Sequence, residues 1–309
     1  MPLRTFAIVN QKGGCGKTTT SINVAAVYAR RGFRTLLVDM DPQAHCAAGL
    51  GVPEEQIELS IGDALTATHD ATMEKDKYLW EITRNLHLAP STMMLSAIEA
   101  AGGGLHSMPD KDRRLESLLH HLDTSFDRCV IDCPPNIGLL TYNALRAATE
   151  AIVPVETGYF SLRGARRQRK TIEALIARIG KPIKCRVLPS IHRPTPLAKK
   201  LLEKLRESFG DEVSPVVIRD HETLREAASF GQPVVEFSPG CDAEKDFIAL
   251  VDWLEEIYTP AAPLVEVRPV GNGRAAELAR RVATFETSLH APKIAGRITP
   301  TEVTDGNEF

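Results

Sequence analysis

The chain has 309 residues, a formal net charge of −3, and 43% hydrophobic against 25% charged residues. That length accommodates one large domain or two small ones with a real core, and the balance excludes a chain disordered throughout. No apolar run approaches the roughly 18 to 20 residues that cross a bilayer, and the start, Met1 to Asn10, has one basic residue and no small-residue cleavage site, so a cytoplasmic protein without stable membrane insertion is expected.

Short β-branched runs alternate with longer helical patterns almost to residue 259. Strands are expected at Phe6–Val9, Thr35–Val38, Leu86–Ala89, Cys129–Ile131, Ala151–Val155, Ile183–Leu188 and Pro215–Ile218. Helices are expected to begin near Lys17, Arg113, Leu139, Leu162, Pro196, Thr223 and Ala243. This alternation predicts βαβ units: one α/β domain over residues 1–259, with a mostly parallel twisted sheet flanked by helices on both faces. After Tyr258 the turn-forming stretches Thr259-Pro260-Ala261-Ala262-Pro263 and Pro269-Val270-Gly271-Asn272-Gly273 read as a linker. In the 260–309 tail, Leu278, Val282 and Phe285 fall at helical spacing and predict a short amphipathic helix at 275–289. The six cysteines include no C-x-x-C pair and read as reduced core thiols.

The most informative stretch follows the first strand and opens the first helix: Gln11-Lys12-Gly13-Gly14-Cys15-Gly16-Lys17-Thr18-Thr19. Glycines let backbone N–H groups turn inward as an anion nest, and the helix N-terminus adds its partial positive charge. In such a P-loop NTPase, Lys17 reaches the β- and γ-phosphates of ATP, the Thr18 hydroxyl ligates Mg²⁺, and Thr19 is placed for the α-phosphate. A strict phosphate-loop pattern has glycine where Gln11 stands, and the neighbouring Lys12 is a second lysine, more positive charge than one nucleotide requires.

Here the chain resembles the ParA/MinD family of deviant Walker A ATPases, whose loop reads K-G-G-x-G-K-[ST]. Leu36-Leu37-Val38-Asp39-Met40-Asp41-Pro42-Gln43 is similar to that family's second acidic motif, and Val130-Ile131-Asp132-Cys133-Pro134-Pro135 to its Walker B segment. Ile137 to Leu145 continues the likeness, and Val153 to Gly164 favours the partition-type ParA/Soj members over MinD. The resemblance implies an ATP-bound homodimer in which Lys12 reaches the partner's phosphates. It also implies weak ATP hydrolysis stimulated by a ParB-like or other protein, and nonspecific DNA binding at the nucleoid to segregate a chromosome, plasmid or other cargo. Asp132 and Asp39, both at strand ends, are then expected around Mg²⁺, and Asp41 is expected to orient the attacking water.

From Phe160 to Arg206, fourteen Lys or Arg stand against two acids, Glu173 and Glu203, which is the asymmetry of a polyanion-binding face. Arg163, Arg166, Arg167 and Lys170 recur at i, i+3, i+4 and i+7, so one helix face carries four positive charges, with Arg193, Lys199 and Lys200 to join them on phosphates. Two other readings of the same core are a MinD-like membrane-associated division-site ATPase and a P-loop metabolic enzyme such as an amidoligase or small-molecule kinase. The second leaves Lys12 without a purpose.

Overall fold

The computed structural model describes residues 3–67, 77–158 and 161–257. The chain divides into two units, Met1–Tyr258 and Thr259–Phe309. The second unit, with the helix expected at 275–289, lies outside the described residues.

Seven strands form one sheet: β1 (Arg4–Ile8), β2 (Thr35–Asp39), β3 (Trp80–Thr83), β4 (Leu86–Ala89), β5 (Arg128–Asp132), β6 (Glu150–Glu156) and β7 (Lys184–Ser190). Their order is β3-β4-β2-β5-β1-β6-β7, with every pairing parallel except the antiparallel β3–β4 edge. The principal helices are α1 (Lys17–Arg30), α2 (His45–Gly49), α3 (Ile61–Thr66), α4 (Met94–Glu99), α5 (Arg114–Leu122), α6 (Leu139–Ala147), α7 (Ser161–Ile179), α8 (Pro196–Phe209), α9 (Glu222–Ser229), α10 (Val234–Phe237) and α11 (Asp242–Glu256).

A parallel sheet covered on both faces needs apolar side chains in both directions, and the central strands are buried throughout. Alternate residues serve two cores. Phe6, Ile8, Leu37 and Val130 pack with α1 and α11; Ala7, Val9, Leu36, Val38, Cys129 and Ile131 pack with α5, α6 and α7.

Three differences from the expected elements have physical reasons. Pro215–Ile218 is not an eighth strand. Ser214 N donates to Val187 O at 2.8 Å and Ile218 N to Pro189 O at 2.9 Å, but between them Val216 N, the next donor on that edge, turns to Ser214 Oγ at 3.1 Å, so the segment follows β7 through isolated bridges at Val213 and Arg219. The edge strand β3 gives no apolar run because its residues are half-buried or, at Glu81, exposed; it turns back onto β4 through Arg84 and Asn85, where Asn85 takes φ 69°. The short helices α2, α3, α4 and α10 are too brief to show a helical period.

Where α2 ends, Gly51 meets Gly231, which follows α9. Both have positive φ, 67° and 66°, and a Cβ on Gly231 would lie 2.6 Å from Gly51 Cα. Backbone packs on backbone here, tying the loop after β2 to the C-terminal half. Gly231→Ala is therefore expected to lower the unfolding free energy by about 2 to 4 kcal/mol in urea titration, combining overpacking with left-handed strain. Wild-type stability in that variant would show that the turn relaxes freely.

Candidate active site

The parallel register sets the site. β2 and β5 run side by side so that Asp39 pairs with Asp132 across the ladder, and Ile8, the last residue of β1, pairs with Asp132 on β5's other edge. Strand ends that face one crevice thus bring the phosphate loop and two carboxylates together, where open α/β sheets place their ligands.

The loop between β1 and α1 is fastened at both shoulders. Asn10 donates through Nδ2 to Pro154 O at 2.6 Å and accepts at Oδ1 from Lys12 N at 2.9 Å. Ser190 at the end of β7 donates to Cys15 O at 2.9 Å. Gly14 and Gly16 have φ 69° and 87°, which side chains rarely adopt, so glycine alone follows this turn into α1 without strain. The two lysines part company. Lys17 is buried, its Nζ donating to Lys12 O at 3.4 Å, whereas the Lys12 side chain is 56% exposed and ion-paired to Glu156 at the end of β6.

At the mouth of α1, Thr18 Oγ1 donates to Asp132 Oδ2 at 2.7 Å and Ser21 Oγ to Asp132 Oδ1 at 2.8 Å. Asp39, fully buried, accepts from Asp41 N at 2.9 Å and Cys46 N at 3.1 Å. Burial pushes the Asp39 carboxyl well above the usual carboxylate range, and repulsion from Asp132 adds to it. Burial likewise pushes Asp132 up to about 6, against the pull of the Thr18 and Ser21 hydroxyls and of Lys17. Two desolvated carboxylates beside a threonine hydroxyl are a hard oxygen donor set, and a divalent cation would relieve their repulsion; Mg²⁺ fits these residues. Asp41 is buried next to them, its Oδ1 accepting from Gln43 N at 3.0 Å.

Several participants carried little sequence signal. Ser21 stands one turn after Thr18, the one case where helical spacing could have found it. Glu156, Ser190 and Cys46 could not be found that way: Cys46 Sγ lies 3.6 Å from Asp132 Oδ2, a buried thiol on the carboxylate pair. Beside Gly16 and Thr19 a cavity of about 120 Å³ is walled by Ile191, Ile218, Leu224 and Phe247. It depends on the loop after β7 and the start of α9, far apart in sequence.

The chain matches the AAA domain family model over residues 3–185. It is 34% identical to the chromosome partitioning protein ParA of Myxococcus xanthus over 84% of this chain and 90% of that one. It is also 34% identical to the sporulation initiation inhibitor protein Soj of Bacillus subtilis, over 76% and 92%. The chain belongs to the ParA/Soj branch of the ParA/MinD family. Among solved structures, cobyrinic acid a,c-diamide synthase from Mycobacterium smegmatis with bound ADP and magnesium superposes with a TM-score of 0.68 at 27% identity, covering 82% of this chain and 94% of that one. The fold is thus that of the P-loop ATPases, as the motifs of this ParA-type chain implied.

The basic segment is more divided than its composition implied. Arg166, Arg167 and Lys170 are exposed on α7, Arg166 Nη2 donating to Ser208 Oγ on α8 at 2.8 Å, and Lys199 and Lys200 are exposed on α8. Arg163 lies on α7, its side chain outside the described residues. Arg169 pairs with Glu173 and Glu212, Lys181 with Glu116, and Arg186 with Glu150. Arg193 pairs with Asp220 at 2.6 Å, and Asp220 is also held by Arg225. Acids outside the window therefore neutralise part of its excess, leaving the exposed cations of α7 and of α8 as the remaining positive charge. Among the described residues no helix is long and apolar enough to cross a membrane.

Proposed function

We propose that this ParA-type ATPase is a Mg²⁺-dependent switch: it closes as a homodimer over two ATP molecules, holds DNA nonspecifically, and releases it when a ParB-like or other partner stimulates hydrolysis. Segregation of chromosome or plasmid DNA at the nucleoid is its output. The observation that carries this reading is the separation of the two loop lysines, Lys17 buried within the loop and Lys12 extended from it. A cation held outside its own loop is available to a second subunit's phosphates.

In this reading the amides from Gly13 to Thr19 cradle the phosphates, with Lys17 on the β- and γ-groups and Thr19 near the α-phosphate. The base enters the cavity bounded by Ile191, Ile218 and Leu224. Thr18, Asp39 and Asp132 hold Mg²⁺, which, when bound, offsets phosphate charge. Asp41 positions water for attack on the γ-phosphate, and Lys12 from the partner stabilises the charge that develops on it. The α7–α8 face lies on phosphate backbones without reading bases.

Sedimentation velocity with AMP-PNP and Mg²⁺, with ADP, and without nucleotide tests the switch. Dimers only with the triphosphate analogue are expected, and DNA retention that follows the dimer. A chain that stays single in all three conditions overturns the reading. Charge reversal of Arg163, Arg166 and Arg167 to glutamate is expected to abolish DNA retention and spare nucleotide binding; every DNA phosphate that the variant leaves unneutralised lowers the log–log salt slope by about 0.9. Retention undiminished in that variant means the stripe is solvated surface.

The likeness to a diamide synthase structure supports one competing reading, a metabolic P-loop enzyme. Turnover raised by DNA and a protein partner, with no small-molecule acceptor present, decides against it. Liposome flotation with ATP decides in the same way on the MinD-like alternative.

A further inference from the structure

The backbone of Lys12 is immobilised on every side: its N–H is bound to Asn10 Oδ1, and its carbonyl accepts from the Cys15 thiol at 3.2 Å and from Lys17 Nζ at 3.4 Å. The neighbouring anchors, Asn10 to Pro154 O and Cys15 O to Ser190, fasten the loop to the ends of β6 and β7. What remains movable is the Lys12 side chain, and its ion-pair partner is Glu156, whose side chain is 36% exposed. Glu156 closes β6, the strand leading toward the basic helix α7.

From this geometry we infer that Glu156 is a positioning residue for Lys12: it parks the loop cation on its own subunit in the nucleotide-free state and competes with the partner's phosphates for it. The inference rests on the dimer reading above. Lys12 cannot remain with Glu156 and also reach across the interface, so each closing dimer breaks two such pairs. A pair this exposed contributes about 0.2 to 1 kcal/mol, roughly 1.5- to 5-fold in an equilibrium. Two of them make the dimer dissociation constant about 2- to 25-fold weaker than it would be without Glu156.

The test uses the full chain and Glu156→Gln. In the nucleotide-free protein, the acetylation rate of Lys12 by a limiting N-hydroxysuccinimide ester, read by peptide mass spectrometry, is expected to rise roughly 1.5- to 5-fold in the variant. Sedimentation with AMP-PNP and Mg²⁺ is expected to show tighter dimerisation by the factor above. Glutamine also removes a negative charge near the phosphates, so AMP-PNP affinity is compared in Lys12→Ala with and without Glu156→Gln. No difference within that pair supports action through Lys12; a gain there means Glu156 repels phosphate directly and overturns the inference. Unchanged Lys12 acetylation overturns it too. If the wild-type chain fails to dimerise, the dimer reading falls and the competition with it, while the acetylation arm still reports whether the ion pair forms.

Discussion

Lys12→Ala is expected to abolish the triphosphate-dependent dimer and to cut single-turnover ATP hydrolysis by about 10³-fold, the lower end of what a cation delivered across an interface supplies. The fold is not at risk, because the Lys12 side chain is more than half exposed and its ion pair with Glu156 is at the surface. ATP affinity at low protein concentration is expected to stay within a few-fold of wild type, since Lys17 remains inside the loop with its bond to Lys12 O, which the alanine keeps. That division of labour makes the result diagnostic. If the variant still dimerises and its hydrolysis stays within tenfold of wild type, Lys12 acts only on its own subunit, and a one-subunit nucleotide enzyme becomes the better description.

Asp41→Ala is expected to do the opposite: ATP binding, dimerisation and DNA retention persist while turnover falls by about 10²- to 10⁴-fold, the usual contribution of a group that orients or deprotonates a nucleophile. The reason lies in how the acids are shared out. Thr18 and Ser21 donate to Asp132, and Asp39 accepts two backbone N–H groups, so both of these carboxylates are committed to building the site. The Asp41 carboxylate accepts one bond within its own loop, from Gln43 N, and its removal costs about 1 kcal/mol while the backbone bond from Asp41 N to Asp39 is kept. The alanine variant therefore leaves the framework standing. Asp132→Asn provides the contrast, since weakening the cation's ligand set is expected to lower triphosphate-dependent dimerisation as well. Turnover unchanged in Asp41→Ala would move the water-orienting role elsewhere in the site.

Much of this was present in the order of residues. Glycines before Lys17-Thr18-Thr19, directly after a buried strand, specify an anion nest at a helix mouth, because amide direction there depends on local backbone freedom alone. The acidic residues closing two apolar strands were legible for the same local reason, and so were the alternation of strands and helices and the positive stripe of α7. Tertiary structure alone decided what depends on distant segments meeting. Parallel register set Asp39 against Asp132 inside the sheet, where burial drove both carboxyls upward; the ends of β6 and β7 fastened the phosphate loop; Glu156 was brought to Lys12; and Glu116, Glu150, Glu212 and Asp220 were brought to basic residues that looked free. Local propensity acts within a few residues, whereas ion pairing and desolvation depend on which surfaces the completed sheet presses together, and a linear chain does not display that choice.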